Sequence, residues 1–65
     1  MTAKVKQVIA ELEADGWFLE RWGKGDHRVY KHPTKQGIVP VAGKLSASIP
    51  IGTLKKIYRL AGLNK

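Results

Sequence analysis

The residues of this chain that could do chemistry meet at one histidine. His27 follows residues 23–26, in which two glycines and an aspartate mark a tight turn, and it precedes residues 28–31, which alternate as a strand does. A side chain at such a junction is held by regular structure while it stays open to solvent. Histidine is also the side chain whose unperturbed pKa, about 6.5, permits proton transfer near neutral pH. His27 is therefore the first candidate for a catalytic role.

The charged residues nearest to His27 in the sequence are mostly basic, and include Lys24, Arg28 and Lys31. This set suits cleavage of RNA without a metal. A neutral imidazole takes the proton of a ribose 2′-hydroxyl, the 2′-oxygen attacks the adjacent phosphorus, and the cations stabilise the charge on the phosphoryl oxygens. The product would be a 2′,3′-cyclic phosphate, and DNA would be inert. Local chemistry alone leaves a second interpretation open, in which His27 is only a polar residue beside a turn.

The charge of the chain favours a polyanionic partner. Residues 1–20 carry two Lys and four acidic residues, a sum of −2, whereas residues 21–65 carry ten Lys or Arg and one Asp, a sum of +9. Nucleic acid is the commonest polyanion in a cell. Two alternatives remain: the lysines only keep a small protein soluble, or the basic surface serves an acidic protein partner.

Composition excludes several other classes. The 65 residues suffice for one domain with a thin core, which we place at residues 1–65. There is no cysteine, so neither disulfides nor thiolate zinc sites are available. We find no metal-ligand constellation, no Walker-type phosphate loop and no assignable Ser/His/Asp set. No apolar run approaches the roughly 18 residues of a membrane span. We therefore expect a cytoplasmic protein that uses no metal or cofactor.

Periodicity predicts two helices. The first spans residues 3–15, with Thr2 as N-cap and Gly16 as the left-handed residue after its end. In the second, Ser48 caps a helix with Pro50 in its first turn, and Gly62 ends it. The apolar positions that recur at i, i+3, i+4 and i+7 are Val5, Val8, Ile9 and Leu12 in the first helix and Leu54, Ile57, Tyr58 and Ala61 in the second.

Three strands are predicted between the helices, over residues 17–22, 27–31 and 38–41. Pro40 argues for an edge position of the third strand. Alternation along the first strand would place Leu19 and Trp22 on opposite faces, and it does not tell which face is buried. Trp22 is first of all a candidate core anchor, and stacking on a nucleobase is its functional alternative.

The order helix, three strands, helix predicts an α+β fold. A three-stranded antiparallel sheet would carry both helices on one face, and its opposite face would be open to solvent.

Motifs along the whole chain resemble the HicA family of toxin mRNA interferases. The match runs in the right order from the first helix to the last residues, and it is more specific than any of its parts. The motifs are Gly16-Trp17, then Gly25-Asp26-His27-Arg28-Val29-Tyr30-Lys31-His32-Pro33, then residues 39–44, then Gly52-Thr53-Leu54 and Ala61-Gly62-Leu63.

The resemblance implies a fold similar to the double-stranded-RNA-binding domain and an activity on mRNA. Family members cleave with the histidine of a Gly-Ser-His pattern, which falls on His27, and a HicB-type antitoxin holds them in check by covering or obstructing the site. We accordingly expect His27 to be catalytic, Lys24, Arg28 and Lys44 to contact RNA, and Gly25 and Asp26 to shape the turn. Arg28 is the weakest of these assignments, because alternation places it on the face opposite His27.

Asp26 departs from the family pattern, which commonly has Ser at this position. A carboxylate that touched His27 would favour the imidazolium form, leave less free base and oppose the approach of phosphate. Alternatively, Asp26 caps the turn and points elsewhere. A non-catalytic module that binds double-stranded RNA by its shape is the main alternative to a nuclease.

Overall fold

The computed structural model describes residues 3–63, and Thr2, the predicted N-cap, lies outside them. Seven elements follow one another along the chain. They are β1 (Ala3–Lys4), α1 (Val5–Ala14), β2 (Phe18–Trp22), β3 (Arg28–Lys31), β4 (Ile38–Val41), β5 (Ser48–Ile49) and α2 (Ile51–Ala61). β2, β3 and β4 form an antiparallel sheet in that order, so the predicted α+β arrangement is confirmed.

Both helices cover one face of this sheet. Cross-strand partners share a face, and the register pairs Tyr30 with Val39 and places Val41 on the same side. These three side chains pack with the apolar stripes of both helices in one core, which also contains Trp17 with only 2% of its surface exposed. The predicted stripes are confirmed, except that Ile9 is only partly buried at the margin of the core.

The opposite face of the sheet is open, as predicted, with one exception. Phe18 and Ile38 are 47% and 43% exposed there, whereas Val29 is only 6% exposed. Val29 lies on the central strand, and its cross-strand neighbours Arg21 and Pro40 flank it on either side. A central position therefore buries this valine although no helix covers it.

The prediction that Leu19 and Trp22 lie on opposite faces is wrong because β2 contains a bulge. Leu19 pairs with Tyr30 and Arg21 pairs with Val29, so Glu20 is an extra residue in the ladder. The extra residue shifts the alternation by one position. Trp22, which pairs with Arg28, therefore lies on the same face as Leu19 and not on the opposite one.

The predicted starts of both helices are wrong. At the start of α1, the Lys4 N–H donates to the Gln7 side-chain oxygen at 2.9 Å, and backbone carbonyls accept the next two donors. α1 begins at Val5, and the N–H groups of Val5 and Lys6 donate to the carbonyls of Ala47 and Leu45 at 2.9 and 3.1 Å. Ser48 does not cap a helix, since it belongs to β5, which pairs with β1 in a second, two-stranded sheet. The segment before α2 thus satisfies the donors at the start of α1.

The predicted position of Pro50 within the first turn of the second helix is wrong, whereas the predicted ends of both helices are confirmed. Pro50 is the N-cap of α2, with a φ of −58° and a ψ of 150°, and does not lie within the first turn. α1 ends at Ala14 with Gly16 beyond it at a φ of 103°, and α2 is closed by Gly62 at a φ of 73°. Within residues 3–63, neither helix has the length and apolar composition needed to cross a membrane.

Candidate active site

The turn between β2 and β3 is built around backbone hydrogen bonds to His27. The carbonyl of Lys24 accepts the His27 N–H at 3.3 Å, and the Gly23 N–H donates to the His27 carbonyl at 2.7 Å. Gly25 has a φ of 66°, a left-handed conformation that glycine adopts without the clash of a Cβ. Gly23 is constrained in another way, since a Cβ there would lie 3.2 Å from the Cβ of His27. The turn therefore fixes the backbone of the histidine on both sides.

One hydrogen bond determines which nitrogen of His27 is available as a base. Nδ1 lies 2.5 Å from the carbonyl oxygen of Lys24. A carbonyl can only accept, so Nδ1 carries the proton and Nε2 is the bare nitrogen of the neutral ring. None of the described residues hydrogen-bonds to Nε2, and the side chain is exposed. The imidazole is thus oriented by the turn, with a basic nitrogen available to a ligand from solvent.

Lys24 and Lys44 lie at the end of the sheet where His27 lies. β2 ends and β3 begins at the turn, and the last residue of β4, Val41, pairs with Arg28, the first residue of β3. The turn and the loop that follows β4 therefore share one end of the sheet, and both lysines are exposed there. Two of the cations expected to contact RNA are brought to the same end as the histidine.

Arg28 is adjacent to His27 in the sequence, but its guanidinium contacts Gly43 and Trp22. Its Nη1 donates to the carbonyl of Gly43 at 2.8 Å, and its guanidinium carbon lies 4.7 Å from the centroid of the Trp22 ring. Trp22 and Arg28 are cross-strand partners on the helix-covered face, whereas alternation places His27 on the other face. The guanidinium therefore holds the loop after β4 and stacks on an indole, on the opposite side of the hairpin from the imidazole.

Two further charged residues lie elsewhere than the sequence suggested. Lys31 is at the far end of β3, where its Nζ lies 3.8 Å from a carboxylate oxygen of Glu20, so it is remote from His27. Asp26 is exposed in the turn, and no hydrogen bond or ion pair joins it to His27 in the described part of the chain. The Nδ1 position that Asp26 could have occupied is taken by the Lys24 carbonyl.

The second histidine, His32, is bound on both nitrogens. Its Nδ1 accepts the N–H groups of Thr34 and Lys35, each at 3.1 Å, so Nε2 carries the proton and donates to the Asp15 carbonyl at 2.7 Å. The ring also meets Trp17 edge-on, with centroids 5.2 Å apart. His32 thus ties the end of α1 to the loop after β3, a structural role that no local sequence pattern indicated.

An ion pair continues this connection to α2. The Lys35 ammonium contacts the Asp15 carboxylate and also donates to the Ala61 carbonyl at 2.9 Å, in the last turn of α2. The hydrogen bond from Lys35 lowers the pKa of Asp15 below its ordinary value, against a smaller opposing effect of burial. The charges of this cluster are therefore engaged in structure, away from the turn.

The described residues, 3–63, contain no group of three or more His, Cys, Asp or Glu side chains placed to hold a metal ion. His27 and His32 accordingly serve different ends of the sheet and do not converge. The candidate site consists of one oriented imidazole, two exposed lysines and, across the hairpin, the Trp22–Arg28 pair.

Comparison with known proteins identifies the family. A search of curated proteins found no match. The family model of the HicA toxin of bacterial toxin–antitoxin systems matches residues 5–63, which is nearly the whole chain and includes every residue of the candidate site. The chain therefore belongs to the HicA toxin family.

Proposed function

We propose that this toxin is a metal-independent endoribonuclease that cleaves mRNA with His27 as its general base. Membership of the family makes the chain the toxin of a toxin–antitoxin system. The observation that supports the chemistry is the hydrogen bond between His27 Nδ1 and the Lys24 carbonyl at 2.5 Å. It orients the ring so that, in the neutral form of the imidazole, Nε2 is the nitrogen without a proton, as a general base requires.

The reaction is a transesterification. The phosphorus exchanges its bond to a 5′-oxygen for a bond to the 2′-oxygen, and no water is consumed. Nε2 of His27 takes the proton from a ribose 2′-hydroxyl, and the 2′-oxygen attacks the adjacent phosphorus. The bond from phosphorus to the 5′-oxygen of the next nucleotide then breaks, which leaves a 2′,3′-cyclic phosphate. The departing 5′-oxygen takes up a proton, from the imidazolium or from solvent, so that protons balance. DNA lacks the attacking hydroxyl and is not a substrate.

The lysines supply the electrostatic part of the mechanism. Negative charge gathers on the phosphoryl oxygens as the 2′-oxygen attacks, and cations held nearby stabilise it. Lys24, in the turn itself, is our first candidate for this role, and Lys44 contacts a neighbouring phosphate. Arg28 contributes less directly, because its guanidinium is engaged with Gly43 and Trp22.

The family implies an antitoxin partner. We assign this partner to the HicB type and expect it to cover or obstruct the exposed His27 side of the hairpin. Because the proposed substrate of the toxin is mRNA, we expect the free toxin to act in the cytoplasm.

Cleavage of a transcript by purified protein in the presence of EDTA tests the proposal. His27→Asn is the informative variant, because an asparagine amide can still donate to the Lys24 carbonyl but has no titratable nitrogen. We expect wild type to cut, and both His27→Asn and His27→Ala to be inactive. Lys55→Ala, which changes an exposed cation on α2, is the matched control and should cut like wild type.

The same assay separates the nuclease from a double-stranded-RNA-binding module, which the helix and strand order also suits. A binding module would leave the transcript intact after long incubation, and its RNA affinity would fall with salt equally in wild type and His27→Asn. Undiminished cleavage by His27→Asn would refute the role of the histidine.

A further inference from the structure

An exposed tryptophan lies across the hairpin from His27. Trp22 ends β2 and is 55% exposed, the largest exposure among the bulky apolar side chains of residues 3–63. Trp17, by contrast, is 2% exposed in the core. A tryptophan left open in so small a protein forgoes a large favourable burial, because aromatic side chains can remove about 150–250 Å² from water. Tryptophan is enriched at interfaces, so an exposed Trp22 is a candidate binding residue.

The indole is held in place from one side. The Arg28 guanidinium lies over the ring at 4.7 Å from its centroid, and the arginine is itself anchored through Nη1 to the Gly43 carbonyl at 2.8 Å. The cation–π contact and the hydrogen bond restrain two long side chains before any ligand arrives. The pair therefore forms a preorganised aromatic surface next to a fixed positive charge.

We propose that Trp22 is a stacking platform for a nucleobase of single-stranded RNA, in a nucleotide that flanks the scissile phosphate. The proposal rests on the proposed nuclease function. An indole face stacks on any base, and the adjacent guanidinium and the exposed Lys24 attract the phosphates on either side. A purely apolar protein partner would gain nothing from the cation that covers one face of the ring.

The position of Trp22 fits a strand of RNA that passes around the hairpin. Trp22 pairs with Arg28, which directly follows His27 in the chain, and consecutive residues of a strand are about 3.3 Å apart along it. The imidazole and the indole lie on opposite faces of the same narrow hairpin. A strand of RNA that passes around the end of the hairpin can therefore place a phosphate at His27 and a nearby base on Trp22.

Fluorescence binding with uncleavable RNA tests this platform independently of cleavage. The probe is a fully 2′-O-methylated single-stranded oligonucleotide, and a matched oligonucleotide with abasic residues lacks the stacking bases. We expect the oligonucleotide with bases to quench the emission of exposed Trp22, and buried Trp17 to report that each variant is folded. Trp22→Leu, which keeps apolar bulk without a π surface, should weaken binding about fivefold or more, since a stacked base contributes ~1–3 kcal/mol.

Two further variants fix the interpretation. Trp22→Phe should retain most of the affinity, and Phe18→Ala, which removes an exposed aromatic ring from the far end and other face of β2, should bind like wild type. Equal affinity of wild type and Trp22→Leu, or equal affinity for the base-containing and abasic oligonucleotides, would overturn the platform. If Trp22→Leu bound RNA normally but lost affinity for an antitoxin, Trp22 would be a protein contact instead. Failure of the nuclease proposal is a separate result, namely binding and quenching by wild type without cleavage of unmodified RNA.

Discussion

The two histidines should divide stability and activity between them. The substitution His32→Ala removes an imidazole whose two nitrogens both form hydrogen bonds with backbone groups. The same ring packs against Trp17. Two engaged nitrogens at roughly 1 kcal/mol each and an aromatic contact of about 0.5–1.5 kcal/mol give a loss of about 3 kcal/mol. A chain of 65 residues has a total stability of about 3–10 kcal/mol, so this variant should lose between about a third and all of its free energy of unfolding. His27→Ala removes one exposed hydrogen bond and should cost about 1 kcal/mol or less.

Urea unfolding followed by tryptophan emission measures this difference. Trp17 is buried and touches His32, so its emission reports the loss of the core directly. We expect His27→Ala to unfold near the wild-type midpoint while it loses RNA cleavage. Equal destabilisation by the two substitutions would refute the assignment of His32 to structure and His27 to chemistry.

Three other predictions concern the fold. The hydrogen bond from Lys35 lowers the folded-state pKa of Asp15 below 3.8. The ionised Asp15 carboxylate therefore stabilises the folded state above pH 3.8, and this stabilisation is lost as the pH falls further. Asp15→Asn should flatten this acid dependence of the urea midpoint, and an unchanged acid limb would count against the ion pair. Burial and the bond to Glu11 raise the pKa of Tyr58 to about 12, so stability should fall as the pH rises from 10 towards 12. Absorbance at about 295 nm should show this phenol ionising late, and earlier in Glu11→Gln; ionisation near pH 10 in wild type would contradict the prediction. Gly16→Ala places a Cβ 2.8 Å from a nitrogen of His32 at a φ of 103°, and should lower the urea midpoint more than Gly52→Ala, which has open space.

Most of the fold could be predicted because local patterns and tertiary packing agree. The apolar stripe of α2 is visible at Leu54, Ile57, Tyr58 and Ala61, and all four are buried. The errors occur where distant backbone groups act. No pattern in the sequence indicates that the carbonyl of Ala47 caps Val5, or that Ser48 pairs with Lys4, because these contacts join segments more than 40 residues apart.

The candidate site was predictable in its residues more than in its arrangement. The turn signal and the position of His27 were readable, but the tautomer depends on a carbonyl whose direction follows from the fold. The stack of Arg28 on Trp22 was concealed by the bulge at Glu20, since simple alternation places Trp22 on the wrong face relative to Leu19. A single extra residue in a strand is not marked by any residue type here.

The chemistry of the cut ends distinguishes the proposed use of the 2′-hydroxyl and His27 from other modes of cleavage. A transcript is incubated with wild-type protein and with His27→Asn in EDTA, and the new 3′ ends are identified by mass spectrometry. The mechanism predicts 2′,3′-cyclic phosphate ends with wild type, and none with His27→Asn although its fold and RNA binding are retained. New ends that carry a free 3′-hydroxyl, or cyclic phosphate ends formed equally by His27→Asn, would contradict it.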